Sequence, residues 1–261
     1  MFVPANQLNS KKINTMKKLL LTAMCILTMA SACKKDKAKE EIVGSDKISQ
    51  TVETVNGITY KLFRGATETP SKGILVVGSG NDETNPSEGN LDGGAETALC
   101  QKAAANGYTA AIVKYQKPPA GSDWNARAKL IGQDYNKCIL AISGKYGIDK
   151  SKSVVAGFSY SSYMLFTDIS TNTTLSYTKG VLAACGGTGA WNAQNFKVPI
   201  FSINCSGNNE SDYFGKALYD QIPSNSAIKA RSEGVTENSC STHCGGDWTN
   251  SMYTKMAAWL Q

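Results

Sequence analysis

Short apolar runs at positions 74–77, 109–115, 153–156, 181–184 and 199–204 constrain this chain more than any other feature. Runs this short and this largely apolar are buried on both faces, as strands of a parallel sheet are, and each parallel pair needs a crossover that a helix can supply. Helical patterning does follow, at 95–106 (ending at Gly107), 123–145 (closed by Tyr146-Gly147), from about 160, at 213–221 and at 248–260. Glycine after the last helical residue is a usual C-terminal stop. Upstream, 48–55 and 58–63 flank Asn56-Gly57, the two-residue signature of a type I′ hairpin, which adds antiparallel edge strands. A last β-rich stretch at 227–235 completes eight strands. The prediction is an α/β protein with a mostly parallel eight-stranded sheet, helices on both faces, an N-terminal β-hairpin and no large lid.

Met16-Lys17-Lys18 followed by the apolar stretch 19–30 has the basic n-region and short h-region of a secretory signal, with Met16 as the working start. Twelve apolar-leaning residues fall short of the ~20 that span a bilayer. The stretch ends in Ala30-Ser31-Ala32-Cys33, which resembles the lipobox of a bacterial lipoprotein, with Cys33 as the lipidated mature N-terminus. The expected organisation is a signal peptide at 1–33, a solvated polar tether at 34–46 and one domain at 47–261, in a protein exported to the bacterial cell envelope and anchored in a membrane. Losing the leader removes four lysines, so 23 basic residues face 21 acids and the net charge falls from +6 to +2. That balance gives no argument for nucleic acid as a partner.

Six cysteines lie beyond the lipobox: Cys100, Cys138, Cys185, Cys205, Cys240 and Cys244. An even count in an exported chain suggests disulfides, though six thiols allow 15 pairings. Zinc is the competing reading of Cys240, His243 and Cys244, but no second ligand pair stands at finger-like spacing, and the expectation is no metal and no cofactor. The glycines of Gly78-Ser79-Gly80 likewise lack the residues that would make a phosphate loop.

The chemistry concentrates at Gly157-Phe158-Ser159-Tyr160-Ser161, preceded by the 153–156 strand and followed by a helix. A nucleophile elbow puts its serine on a strained tight turn, so positions two before and two after must be small. Gly157 obeys; Ser161 departs, adding a hydroxymethyl in a crowded corner. Serine needs a neighbouring imidazole to take its proton, and the chain has one histidine, His243, between the last strand and the last helix.

The segments 104–113 (AANGYTAAIV), 146–159 (YGIDKSKSVVAGFS), 199–205 (PIFSINC) and 241–244 (STHC) carry a resemblance running from Ile74 to Leu260. The chain is similar to small, lidless α/β-hydrolases of the dienelactone hydrolase and cutinase-like polyester hydrolase group. The resemblance implies a serine esterase working through an acyl-enzyme, with Ser159 as nucleophile and His243 as base. It also implies an acid after the seventh strand. An ungapped count puts Asn208 there, whereas matching Gly207-Asn-Asn-Glu210 to the family's Gly-x-x-Asp selects Glu210, with Asp212 as the alternative and Asp220 further on. The oxyanion donors it implies are the backbone N–H of Tyr160 and that of Gly80, with Ser79 or Asn81 open as substitutes. Polyester-cleaving relatives that tie their acid and histidine loops by a disulfide suggest Cys205–Cys244, with Cys240 as competitor for the same partner. Trp191 falls where such enzymes place an aromatic beside the substrate, and covering the core is its other reading; Trp124 and Trp248 have weaker claims.

The expectation is therefore hydrolysis of a small-molecule or polymeric carboxylic ester. Two alternatives stand beside it. A small peptidase of the same fold would ordinarily carry an extra domain or cap, against which the short connection before the seventh strand argues. A ligand-binding lipoprotein without turnover would follow if Ser161 distorts the elbow and Asn208 marks a lost acid.

Overall fold

The computed structural model describes residues 41–43, 48–65, 70–81, 86–119, 121–207 and 213–261; the signal segment and Cys33 lie outside them. Nine strands form one sheet: β1 (Glu41–Val43), β2 (Ile48–Val55), β3 (Ile58–Gly65), β4 (Ile74–Gly78), β5 (Thr109–Val113), β6 (Ser153–Phe158), β7 (Val181–Ala184), β8 (Ile200–Cys205) and β9 (Glu233–Glu237). Their spatial order is β1-β2-β3-β5-β4-β6-β7-β8-β9. The eight expected strands are present, and β1 adds a short edge inside the stretch read as tether. From β5 to β9 every pairing is parallel, while β1, β2 and β3 pair antiparallel. The hairpin turn has Asn56 at φ 52° and Gly57 at φ 77°, the two positive values a type I′ turn demands.

Seven helices are described: α1 (Gly94–Ala105), α2 (Trp124–Tyr146), α3 (Tyr160–Thr171), α4 (Ala190–Gln194), α5 (Gly215–Asp220), α6 (Ala227–Arg231) and α7 (Thr249–Leu260). Strand residues alternate between two cores. Ile74 and Val76 face Ile131, Ile139, Met164 and Leu165 of α2 and α3. Leu75 and Val77 face Leu99, Ala103, Met252 and Met256 of α1 and α7. A two-residue period on a sheet covered on both sides gives this division. α2 starts where the Asp123 carboxylate accepts Ala126 N–H at 2.9 Å and stops at Gly147 in the left-handed region, φ 66°.

The stretch 227–235, expected as strand, is divided: α6 takes its first half and β9 begins only at Glu233. Ser226 caps α6 by accepting Lys229 N–H, which commits 227–231 to a helical turn. α4, not expected, occupies the connection from β7 to β8, and that connection holds no larger insertion.

Candidate active site

The carboxyl ends of β4, β6, β7 and β8 gather the chemically capable residues at one edge of the sheet. Ser159 follows β6 directly and has φ 47° and ψ −115°, a conformation an L-residue adopts only under constraint. Its N–H donates to Ala184 O of β7 at 2.9 Å, and its carbonyl accepts Tyr163 N–H to start α3. The turn is possible because a Cβ on Gly157 would stand 2.7 Å from Ser162 N and 2.8 Å from the Ser161 carbonyl carbon. The side chain of Ser161 is fully buried, and it fits. Its hydroxyl donates to Gly78 O at 2.7 Å and accepts Phe158 N–H at 2.9 Å. Gly78 and Gly157 are register partners on β4 and β6, so a pair of glycines leaves room for the extra hydroxymethyl. Sequence reading took Ser161 as a departure because it weighed position 161 without the facing Gly78.

His243 sits on an exposed loop from β9 to α7, and its Nε2 lies 2.8 Å from Ser159 Oγ. Since β9 is three strands away from β6, the loop must travel back across the sheet's carboxyl end, and two disulfides mark its course. Cys240 bonds Cys205 at the end of β8, with Cα atoms 5.1 Å apart. Cys244 bonds Cys185 at the end of β7, with Cα atoms 5.2 Å apart. The expected Cys205–Cys244 link is therefore corrected. Cys205 and Glu237 are register partners, so the chain leaving β9 passes over Cys205 within three residues, and Cys240, not Cys244, is the first cysteine to meet it. Trp248 adds a third hold, its indole N–H donating to Glu237 at 2.8 Å.

The four disulfide sulfurs are consumed in pairs. Cys185, His243 and Cys244 bring ligand atoms within 4.8 Å of one another, but the two sulfurs are bonded together and neither is a thiolate that could coordinate a cation. Cys240 is equally unavailable. Cys100 and Cys138 are free thiols in the two cores, and burial pushes both well above the ordinary thiol range.

The loop after β4 forms the opposite wall. A Cβ on Gly80 would stand 3.2 Å from Ser159 Cβ, a tight contact, so glycine here favours the close approach of this loop to Ser159. Tyr115 donates its hydroxyl to Ser79 O at 2.7 Å, and Asn90 N–H donates to Ser79 Oγ at 2.8 Å. Behind it lies Glu96, a buried acid in the first turn of α1. Burial raises its carboxyl above the ordinary value, offset in part by its own backbone N–H and that of Gly80. Tyr160 stacks near Tyr115, ring centroids 6.4 Å apart; burial raises its phenol, countered by the Arg127 guanidinium.

Glu210 and Asp212 lie outside the described residues, as does Asn208. Asp220 ends α5 in an i,i+4 pair with Lys216 at 2.7 Å. Trp191 is 65% exposed on α4, so it does not cover the core. Trp124 is also exposed and donates its indole N–H to Thr167 Oγ1, whereas Trp248 is buried. Sequence reading missed Cys185 and Gly186 as neighbours of Ser159; the pair closing the 181–184 run was the available signal.

No protein-family model matches the sequence, and no curated protein matches it. Solved structures do. An α/β serine hydrolase without a lid from Xanthomonas campestris is 12% identical, with TM-score 0.57 over 84% of this chain and 98% of that one. A cold-adapted esterase from an Arctic intertidal metagenomic library is 12% identical, with TM-score 0.55 over 84% and 97%. Acetyl xylan esterase 1 from Thermoanaerobacterium is 10% identical, with TM-score 0.53 over 89% and 90%. The fold is the α/β-hydrolase fold, with no large lid among the described residues.

Proposed function

We propose that this chain is a serine hydrolase that cleaves carboxylic esters through an acyl-enzyme. The observation that carries the reading is the 2.8 Å approach of Ser159 Oγ to Nε2 of the only histidine, with the serine held at positive φ on a strand-to-helix turn. With Nδ1 protonated, Nε2 accepts the hydroxyl proton as Ser159 attacks the ester carbonyl, then returns it to the leaving alcohol. Water enters as second substrate and is activated the same way. An acid from positions 208–212, Glu210 or alternatively Asp212, holds the tautomer and stabilises the imidazolium.

The oxyanion takes one donor from Tyr160 N–H at the start of α3 and one from the 79–81 loop. Gly80 serves that loop by its close contact with Ser159. Its N–H faces the Glu96 carboxyl, which leaves Ser79 N–H or Asn81 N–H as the loop's donor to the oxyanion. Trp191, exposed on α4, is the aromatic surface available to a substrate acyl or aryl group. In this reading the enzyme belongs with the dienelactone hydrolase and cutinase-like group, is exported, and is lipid-anchored through Cys33. The named solved structures support the ester class by what they are: two esterases and a serine hydrolase. The accommodation of Ser161 removes one of the two reasons to prefer a binder without turnover, the other being Asn208.

A fluorophosphonate probe on folded protein should label Ser159, and p-nitrophenyl esters should be hydrolysed by wild type and not by Ser159→Ala. His243→Ala should lose at least about 10³-fold in kcat. Near-normal turnover in that variant would overturn the assignment.

A further inference from the structure

We infer that the Cys185–Cys244 disulfide is a positioning device for His243, distinct in role from Cys205–Cys240, an inference that rests on the proposed reaction. The segment Ala184-Cys185-Gly186 touches both partners of the Ser159–His243 pair. Ala184 O accepts Ser159 N–H at 2.9 Å and the Ser162 hydroxyl at 2.9 Å. A Cβ on Gly186 would stand 3.1 Å from Ser159 O, so this backbone lies directly against the nucleophile's own peptide. Between these two, Cys185 is bonded through sulfur to Cys244, the residue next to His243.

The path from nucleophile to base thus runs through one peptide contact, three residues (Ala184, Cys185 and Cys244) and one S–S bond. The other route, along the chain, is 84 residues long. Cys185 is itself held, its N–H donating to Ile203 O at 2.8 Å and its side chain fully buried. Both bonded cysteines have left-handed backbone, Cys185 at φ 47° and Cys244 at φ 55°. His243 is exposed, with its Nε2 2.8 Å from Ser159 Oγ, and the disulfide restrains the backbone directly beside it. Cys205–Cys240 lies three residues upstream of His243 and ties the loop to β8, one strand farther from Ser159. It fixes where the loop starts; Cys185–Cys244 fixes where the imidazole stands. A misplacement of about 1 Å is enough to cost about 10²-fold.

The test compares Cys185→Ser/Cys244→Ser with Cys205→Ser/Cys240→Ser on the whole chain. It reads kcat and KM on a p-nitrophenyl ester, and the imidazole signal of histidine-labelled protein by NMR. One histidine gives one signal, so the spectrum reports His243 whether or not the protein hydrolyses esters. The first variant should lose about 10-fold to 10²-fold in kcat with KM within about twofold, and its imidazole signal should move or broaden. The second should keep more of its kcat and a signal closer to wild type. Equal kcat losses in both variants, or a wild-type signal and kcat in the first, would overturn the inference. If wild type hydrolyses no ester, the functional reading fails while the imidazole signal still decides the positioning role. Should the first variant not fold, hydrogen exchange at 240–247 in wild type selectively reduced at each disulfide reads the same difference. Greater loosening around His243 on opening Cys185–Cys244 supports the inference, and equal loosening overturns it.

Discussion

Ser161 shows how a residue that breaks a local pattern can be made good by its neighbours. Its hydroxyl satisfies Gly78 O and Phe158 N–H, two backbone groups buried beneath the elbow. Ser161→Ala would leave both unpaired where no water reaches, so chemical denaturation should register a loss of about 1–3 kcal/mol. Asp168 is the opposite case. Its carboxyl is buried on α3 against Gly132 of α2, where a Cβ would stand 2.5 Å from the carboxyl carbon, and neither oxygen has a hydrogen-bond partner. Burial raises it from 3.8 to about 7, with the Asn172 amide and Lys197 ammonium opposing only in part. The unfolded chain releases this proton near 4 and the folded chain keeps it to about 7, so stability falls as pH rises across that window. The full effect is about 4 kcal/mol at most. Asp168→Asn should flatten the fall between pH 4 and 7 and raise Tm at neutral pH; an unchanged pH profile of Tm would refute this.

At the scale of elements, α5 and β9 meet through glycine. Gly215 has φ 49° and its N–H donates to Ser202 Oγ at 3.0 Å; a Cβ there would run into Val235 O and Asn204 Oδ1, and one on Gly234 would meet the Gly215 carbonyl. Gly215→Ala combines an unfavourable φ with that collision and should cost more than about 1 kcal/mol, measured by denaturant midpoint at constant m. The same region marks the limit of what sequence discloses. The five apolar runs and the Asn56-Gly57 turn were legible because each depends on burial period or local φ alone. The stretch 227–235 was not, because Ile228 and Val235 read as β while the Ser226 cap, a weak local signal, decided the first half. The meeting of Ser159 with His243 was legible from residue type and chain order. The disulfide partners were not, since pairing follows from the route a loop takes across strands, and that route exists only once the sheet is assembled.

For the molecule as a whole, the two disulfides close loops of 59 and 35 residues, each worth about 4 kcal/mol by chain entropy. Against a typical total of about 5–15 kcal/mol, losing both leaves a marginal fold. Fully reduced protein should therefore unfold at a much lower guanidinium midpoint than oxidised protein, and coincident midpoints would contradict the assignment. The absence of a large lid among the described residues has a kinetic counterpart. Only the five-residue α4 interrupts the passage from β7 to β8, and Ser159 is half-exposed beside an exposed His243. Rates on a dispersed ester should then rise as a simple saturation curve, with no jump at the solubility limit of the substrate. On the proposed mechanism, an acyl group on the half-exposed Ser159 would meet any small hydroxyl compound the medium offers. In water–methanol mixtures, the ratio of methyl ester to free acid would become a measure of how the cleft ranks competing nucleophiles.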